Sequence, residues 1–149
     1  MIIVEAADPR HPQASALLRA SHALMESLFP PEDNFFLDIE ALTAPDIRFF
    51  TARSGDRILG TGALALRDGY GEVKSMFVDD AARGRGVADA LLRRIEDEAR
   101  DLGLPCLRLE TGSLLEAAHR LYARHGFETS GPFGDYPESA SSIFMEKAL

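Results

Sequence analysis

The stretch Arg83-Gly84-Arg85-Gly86-Val87-Ala88 stands between an apolar run ending at Val78 and a long amphipathic pattern ending near Leu102. Strand, glycine-rich turn and helix in that order build an anion site. The first backbone N–H groups of a helix have no intrahelical acceptor and lie at the positive end of its dipole. Gly84 and Gly86 carry no Cβ and accept positive φ, so backbone can come close to a bulky diphosphate. Arg83 and Arg85 add guanidinium donors suited to phosphate oxygens. From 83 to 94, Arg83, Arg85, Arg93 and Arg94 are opposed by Asp89 alone, in a chain whose formal net charge is −8. The basic island is local, and so is the anion it implies.

Downstream of the turn, Val87, Leu91, Leu92, Ile95, Ala99 and Leu102 fall on one helical face, with Asp89 to Arg93 and Glu96 to Arg100 spaced as i,i+4 pairs on the other. Gly103 and Pro105 end that helix, and Cys106-Leu107-Arg108-Leu109-Glu110-Thr111 reads as a strand. Strand, helix, strand predicts a parallel crossover. Leu114, Ala117, Ala118, Leu121 and Tyr122 predict a last helix closed by Gly126. Two closing strands follow, from Phe127 onward and over Ser142–Lys147.

Upstream, Arg48–Arg53, Arg57–Leu66 and Gly71–Val78 read as strands separated by turn chemistry at Ser54-Gly55-Asp56 and Asp68-Gly69, hence an antiparallel meander. Before it come a short strand over Met1–Ala6 and a helix through Ala14, Leu17, Leu18, Met25 and Leu28, stopped by Pro30-Pro31. A second short helical pattern runs from Leu37 to Leu42 and ends at Pro45. The expected fold is therefore α/β (α+β), with a central mixed, largely antiparallel sheet of about six or seven strands flanked by about four helices. With 149 residues of which 46% are hydrophobic, one domain over 1–149 is expected.

The acidic balance argues against a nucleic-acid surface, which would carry a broad basic face, and suits a cationic substrate such as an amine. Residues 1–30 lack a basic-then-apolar leader, and no run of about 18 apolar residues is present. A cytoplasmic protein without membrane contact is expected. Cys106 is the single cysteine, so there is no intrachain disulfide, and a buried structural thiol is expected there. His11, His22, His119 and His125 show no ligand spacing, and no metal is expected.

Three phosphate-binding patterns compete for the turn. A Walker loop needs the lysine and hydroxyl of GxxxxGK[ST], yet the only lysines are Lys74 and Lys147. A Rossmann fingerprint needs a glycine where Asp89 stands, and a βαβ unit where this chain has antiparallel strands. The third pattern fits the whole chain. Met76-Phe77-Val78 followed by Arg83 to Ala88, then Leu121-Tyr122-Ala123-Arg124-His125-Gly126-Phe127, in this order of strands and helices, resembles the GNAT superfamily of acyl-CoA-dependent N-acetyltransferases. The segments Leu109-Glu110-Thr111-Gly112, Pro132-Phe133-Gly134-Asp135-Tyr136 and Ser142-Ile143-Phe144-Met145-Glu146-Lys147 are similar to a bacterial subgroup of small members.

The resemblance implies acetyl transfer from acetyl-CoA to an amine by direct attack in a ternary complex. Backbone amides of Arg83, Gly84, Arg85, Gly86, Val87, Ala88 and Asp89 would hold the pyrophosphate. Pantetheine would lie along Met76, Phe77 and Val78, with an amide near Val78 polarising the thioester carbonyl. Tyr122 is the candidate general acid beside the CoA sulfur; from the pattern alone it reads equally as a buried packing tyrosine. Glu72 is the candidate base, against the alternative of a salt-bridged strand glutamate next to Lys74. Phe29, Asn34, Phe35, Asp135 and Tyr136 are candidates for the acceptor pocket. Asn34 is the only asparagine, so the asparagine that many members place early in the last helix is missing, and pantetheine contacts from 113–118 are unassigned. The expected partners are acetyl-CoA and a small-molecule amine, with a homodimer among the expectations because small members are often dimers. The other function class is a GNAT-fold module that binds acyl-CoA without turnover, as a sensor or interaction domain.

Overall fold

Alternation of side chains along the central strands divides the apolar residues between two faces, and the helices cover both. The computed structural model describes all 149 residues. In chain order it comprises β1 (Ile3–Ala6), α1 (Pro12–Leu28), β2 (Ile47–Ser54), β3 (Arg57–Arg67), β4 (Tyr70–Val78), α2 (Val87–Asp101), β5 (Cys106–Gly112), α3 (Glu116–Arg124), β6 (Glu128–Ser130) and β7 (Ser142–Ala148). These form one 7-stranded sheet in the order β1-β2-β3-β4-β5-β7-β6. The pair β4–β5 is parallel and every other pair is antiparallel, as the crossover through α2 requires.

On one face Leu91, Leu92, Ile95 and Ala99 of α2 pack with Leu107 and Leu109 of β5, Leu121 and Tyr122 of α3, and Met145 of β7. On the other, Ala14 and Leu18 of α1 pack with Leu42, Phe49, Ile58 and Ala63. Phe49 and Phe50 are neighbours on β2 and enter different clusters, the expected consequence of a period of two. The sheet buries Leu107 and Leu109 toward α2 and α3, and thereby turns Arg108 and Glu110 toward the opposite face.

The helix count departs from expectation. Three α-helices are present, and the segment between α1 and β2 holds two single 3-10 turns, Pro31–Asp33 and Ala41–Thr43. Pro31 and Pro45 bracket a stretch too short to repay helix nucleation. Within it Asp38 accepts a hydrogen bond from the Ala41 amide at 2.7 Å, which satisfies a donor locally and favours a tight turn. Cys106 opens β5 as a half-buried residue rather than a fully buried one.

Two local features place the cleft. Ser75 has φ 56, the left-handed region that a non-glycine residue seldom occupies. It forms a bulge, because the β3–β4 register shifts between Thr61 and Ala63. The Thr61 hydroxyl secures it by donating to the Ser75 carbonyl at 2.8 Å. The second feature lies across β4. Its pairing with β5 is confined to Gly71 with Leu107 and Glu72 with Arg108, so from Val73 to Val78 the two parallel strands part.

Leu91 is fully buried in the cluster under α2. Leu91→Ala should lower unfolding stability by about 2–5 kcal/mol through lost burial and the cavity left behind. Urea unfolding monitored by circular dichroism checks this, and a change below 1 kcal/mol, about the median effect of any substitution, would contradict the assigned core.

Candidate functional site

The parting of β4 from β5 opens a cavity of about 130 Å³ whose walls come from four regions of the chain. Helix α1 and the segment after it contribute Met25, Phe29, Asp33, Asn34, Phe35 and Phe36; β4 contributes Val73, Lys74, Ser75 and Met76. Strand β5 brings Glu110, Thr111 and Gly112, and α3 brings Ala118 and Tyr122. Gly112 is needed where it stands. A Cβ there would lie 2.3 Å from Cζ of Phe29, so only glycine lets that ring close on the strand.

Glu110 projects into this cavity as a carboxylate largely removed from water. Burial pushes its pKa above the usual carboxylate range, partly opposed by a hydrogen bond from the Ser142 hydroxyl at 2.8 Å and by the positive charge of Lys74. Tyr122 is 6% exposed. Burial, then the charge of Glu110, raises its hydroxyl pKa above that of a free tyrosine, so the phenol stays protonated and retains a proton to give. Its ring packs edge-on against Phe127 of the Leu-Tyr-x-x-x-Gly-Phe run.

Glu72 takes a different position. It is buried on β4 outside the cavity wall, where Arg67 donates to Oε1 at 3.2 Å, Lys74 lies 3.5 Å from Oε2, and the Tyr136 hydroxyl donates to the same oxygen. Lys74 Nζ also donates to the Tyr136 hydroxyl at 2.8 Å and to the Phe35 carbonyl at 3.0 Å. Two of its N–H groups are thus committed to Tyr136 and Phe35, and its charge is paired with Glu72. Tyr136 is packed edge-on by Phe35, Phe133 and Phe144, and burial followed by the Glu72 charge raises its pKa. Asp33 accepts from the hydroxyls of Ser139 and Ser141 at 3.2 and 2.9 Å. The segment after α1 and the loop between β6 and β7 are in this way joined over the cavity.

Among the sequence candidates, Phe29, Asn34, Phe35, Met76 and Tyr122 line the cavity together. Tyr136 stands behind Lys74, whereas Asp135 is an exposed turn residue. Glu110, Lys74, Asp33 and Ser75 were not singled out from the sequence. The one available signal was for Glu110, an acidic residue that alternates with the apolar Leu107 and Leu109 on an interior strand.

The glycine turn lies between the end of β4 and the start of α2. Gly84 and Gly86 have φ 79 and 78, and a Cβ at either would meet nothing within 4 Å. Gly86 caps α2 without any side-chain hydrogen bond, and the amides from Gly84 to Asp89 donate to no backbone carbonyl. Val87 is buried beneath the turn, while Arg83 pairs with Asp80 at 2.9 Å and Arg85 is exposed. Asp89, in the first turn of α2, is held by His125 at 2.8 Å and Arg124 at 3.2 Å. The hydrogen bond from His125 is the largest cause of its lowered pKa.

No group of three or more His, Cys, Asp or Glu side chains is arranged to hold a metal ion, and no helix is long and apolar enough to cross a membrane. Comparison with known proteins gives a consistent result. The profile of the acetyltransferase (GNAT) family matches residues 15–127. The IAA acetyltransferase of Azospirillum brasilense is 49% identical over 124 residues, spanning 82% of this chain and 81% of the relative. A crystal structure from Klebsiella pneumoniae superposes with a TM-score of 0.84 at 32% identity, covering 100% of this chain and 98% of the other. The PaiA N-acetyltransferase of Thermoplasma acidophilum, solved in complex with coenzyme A, shares the fold with a TM-score of 0.78 at 15% identity, covering 100% and 99% of the two chains.

Glu110 yields a stability prediction. A carboxyl whose folded pKa is raised leaves the native state holding more protons than the unfolded state in the window between the two values, so stability falls as pH rises through it. Glu110→Gln should therefore be more stable than the parent at neutral pH, and the gap should narrow as pH falls through the raised folded value and level off below the unfolded value of roughly 4.3. Thermal melts across pH check it; a gap that widens toward acid would reverse the assigned shift.

Proposed function

The chain belongs to the acetyltransferase (GNAT) family, and on that premise we propose that it transfers an acetyl group from acetyl-CoA to a small-molecule amine by direct attack in a ternary complex. What supports the reading is that Glu110, a carboxylate with a raised pKa, and Tyr122, a protonated phenol, line one cavity in a chain whose β4–α2 turn keeps its amides free.

The residues present suit coenzyme A. Free amides from Gly84 to Asp89 at the positive end of α2, with open space over Gly84 and Gly86, suit a diphosphate. Arg83 and Arg85 border them, and Arg124 and His125 offset the one acidic residue of the turn, Asp89. The β5-facing edge of β4 at Met76, Phe77 and Val78 has no strand partner, so it can pair with the amides of a pantetheine arm. The thioester that coenzyme A carries supplies the activated acetyl group.

In this mechanism Glu110 takes the proton from the incoming ammonium and leaves a neutral nitrogen nucleophile. The nitrogen–carbon bond forms, the carbon–sulfur bond breaks, and Tyr122 delivers its proton to the departing sulfur. An amide near Val78 stabilises the negative charge that develops on the carbonyl oxygen. We assign the base to Glu110 rather than to Glu72, because Arg67, Lys74 and Tyr136 already occupy the Glu72 carboxylate. Glu72 instead fixes Lys74 and Tyr136 at the acceptor end. The ties between Asp33 and the serines, and between Lys74 and Tyr136, narrow that end and favour a small free amine over an extended peptide.

The test is thiol release from acetyl-CoA with a panel of amines. Tyr122→Phe should lower turnover by roughly 10²-fold with coenzyme A binding retained, and Glu110→Gln by roughly 10²–10⁴-fold with loss of the rising acid limb of the pH–rate profile. Tight coenzyme A binding with no release from any amine would instead identify a binding module. Gly86→Ala places a Cβ on a left-handed residue, a penalty of roughly 1–2 kcal/mol for holding the conformation that receives the diphosphate. The free turn of this variant can relax out of the left-handed conformation, and binding of the diphosphate would have to re-impose it, so the coenzyme A dissociation constant should rise about tenfold; an unchanged constant by calorimetry would detach the turn from the donor.

A further inference from the structure

The cavity wall carries hydrogen-bonding atoms that the protein leaves unmatched. The side-chain nitrogen of Asn34 donates to the carbonyls of Phe29 and Pro30 at 3.3 Å each, which fixes the orientation of the amide. Its Oδ1 is then buried with no partner, and so is the hydroxyl oxygen of Ser75 on the bulge. Unmatched buried polar atoms are uncommon in folded proteins, and two in one cavity mark a place for a ligand's donor.

Charge narrows the ligand further. Asp33 and Glu110 both line the cavity. The cation among them, Lys74, donates to Phe35 and Tyr136 and is paired with the Glu72 carboxylate 3.5 Å away, and the nearby Arg67 is directed at Glu72 and Asp46. A carboxylate or phosphate on the ligand would meet two like charges and a lysine whose charge is already paired with Glu72. Met25, Phe29 and Phe35 add apolar surface to the same cavity, whose volume of about 130 Å³ admits only a short body.

We infer that the acceptor is a small amine with a second hydrogen-bond donor, either a hydroxyl or another amino group, at the far end of a short apolar body, and with no anionic group. The reactive amine sits between Glu110 and Tyr122, and the second donor reaches Asn34 Oδ1 and Ser75 Oγ as the wall shifts to uncover them. This rests on the acyl-transfer reading above and specifies its acceptor.

The experiment is calorimetric binding, at saturating coenzyme A, of a straight-chain set matched in length: butylamine, aminobutanol, diaminobutane and aminobutyrate. The alcohol and the diamine should each bind at least about tenfold tighter than butylamine, with aminobutyrate weakest, and the two donor-bearing arms show whether hydroxyl or ammonium is preferred. Asn34→Leu and Ser75→Ala should each bring the alcohol and diamine toward butylamine. Asn34→Leu also removes two hydrogen bonds to backbone, so Ser75→Ala provides the milder control. Coenzyme A binding is measured first in the same cell. Its failure removes the acyl-transfer reading and this inference together. Coenzyme A binding with a flat ranking, a preference for aminobutyrate, or no binding of any of the set overturns the inference and leaves acyl transfer standing.

Discussion

Everything at the site depends on where two parallel strands stop bonding. Strands β4 and β5 share backbone hydrogen bonds near Gly71 and Glu72 and none beyond. Interior backbone groups without partners are unfavourable, so a sheet that opens in its middle needs other sources of order. Here they are specific. The Ser75 bulge redirects β4, Thr61 holds the bulge by its carbonyl, and the α2 face of the same strand remains packed on Leu91 and Ile95. One side of β4 is thus rigid core while its edge is open to a ligand.

The opening also explains the buried charges. Glu72, Arg67 and Lys74 lie close to the point where the strands part, and each has its partners within the protein. Buried ion pairs add little net stability but are damaging to break, because the remaining charge is left unsolvated. Their effect here is positional: Lys74 draws the Phe35 carbonyl and the Tyr136 hydroxyl, from opposite ends of the chain, to one atom on β4. Glu110 instead faces the cavity as a buried carboxylate, and that burial is the main cause of its raised proton affinity.

Much of the fold could be read from the sequence because its determinants are local. Alternation fixed β2, β3 and β4, the Ser54–Asp56 and Asp68–Gly69 turns fixed their antiparallel order, and the apolar stripe of α2 with Gly86 before it fixed a helix with a free N-terminus. The helical pattern over Leu37–Leu42 misled because periodicity alone does not report that a segment between two prolines is too short, or that Asp38 will cap a single turn. Tyr122 could be found through its family motif. Glu110 could not be ranked above Glu72 in the same way, since both are strand glutamates in the sequence. What separates them is tertiary: Arg67, Lys74 and Tyr136 converge on one and leave the other facing the cleft.

The roof over the cavity has a consequence for motion. Asp33 is separated by 106 and 108 residues from the two serines it holds, each bond to its carboxylate a net stabilisation of about 1.5–3 kcal/mol. Beside them Phe35 packs edge-on against Tyr136, so the roof is held by a few side-chain contacts. The sheet and α2 rest on a continuous apolar core. The two loops can therefore separate in a local opening that leaves the global fold intact. Passage of a ligand at this end is then set by the breathing of the roof, and its amides would exchange with solvent well before those of β3 or α2.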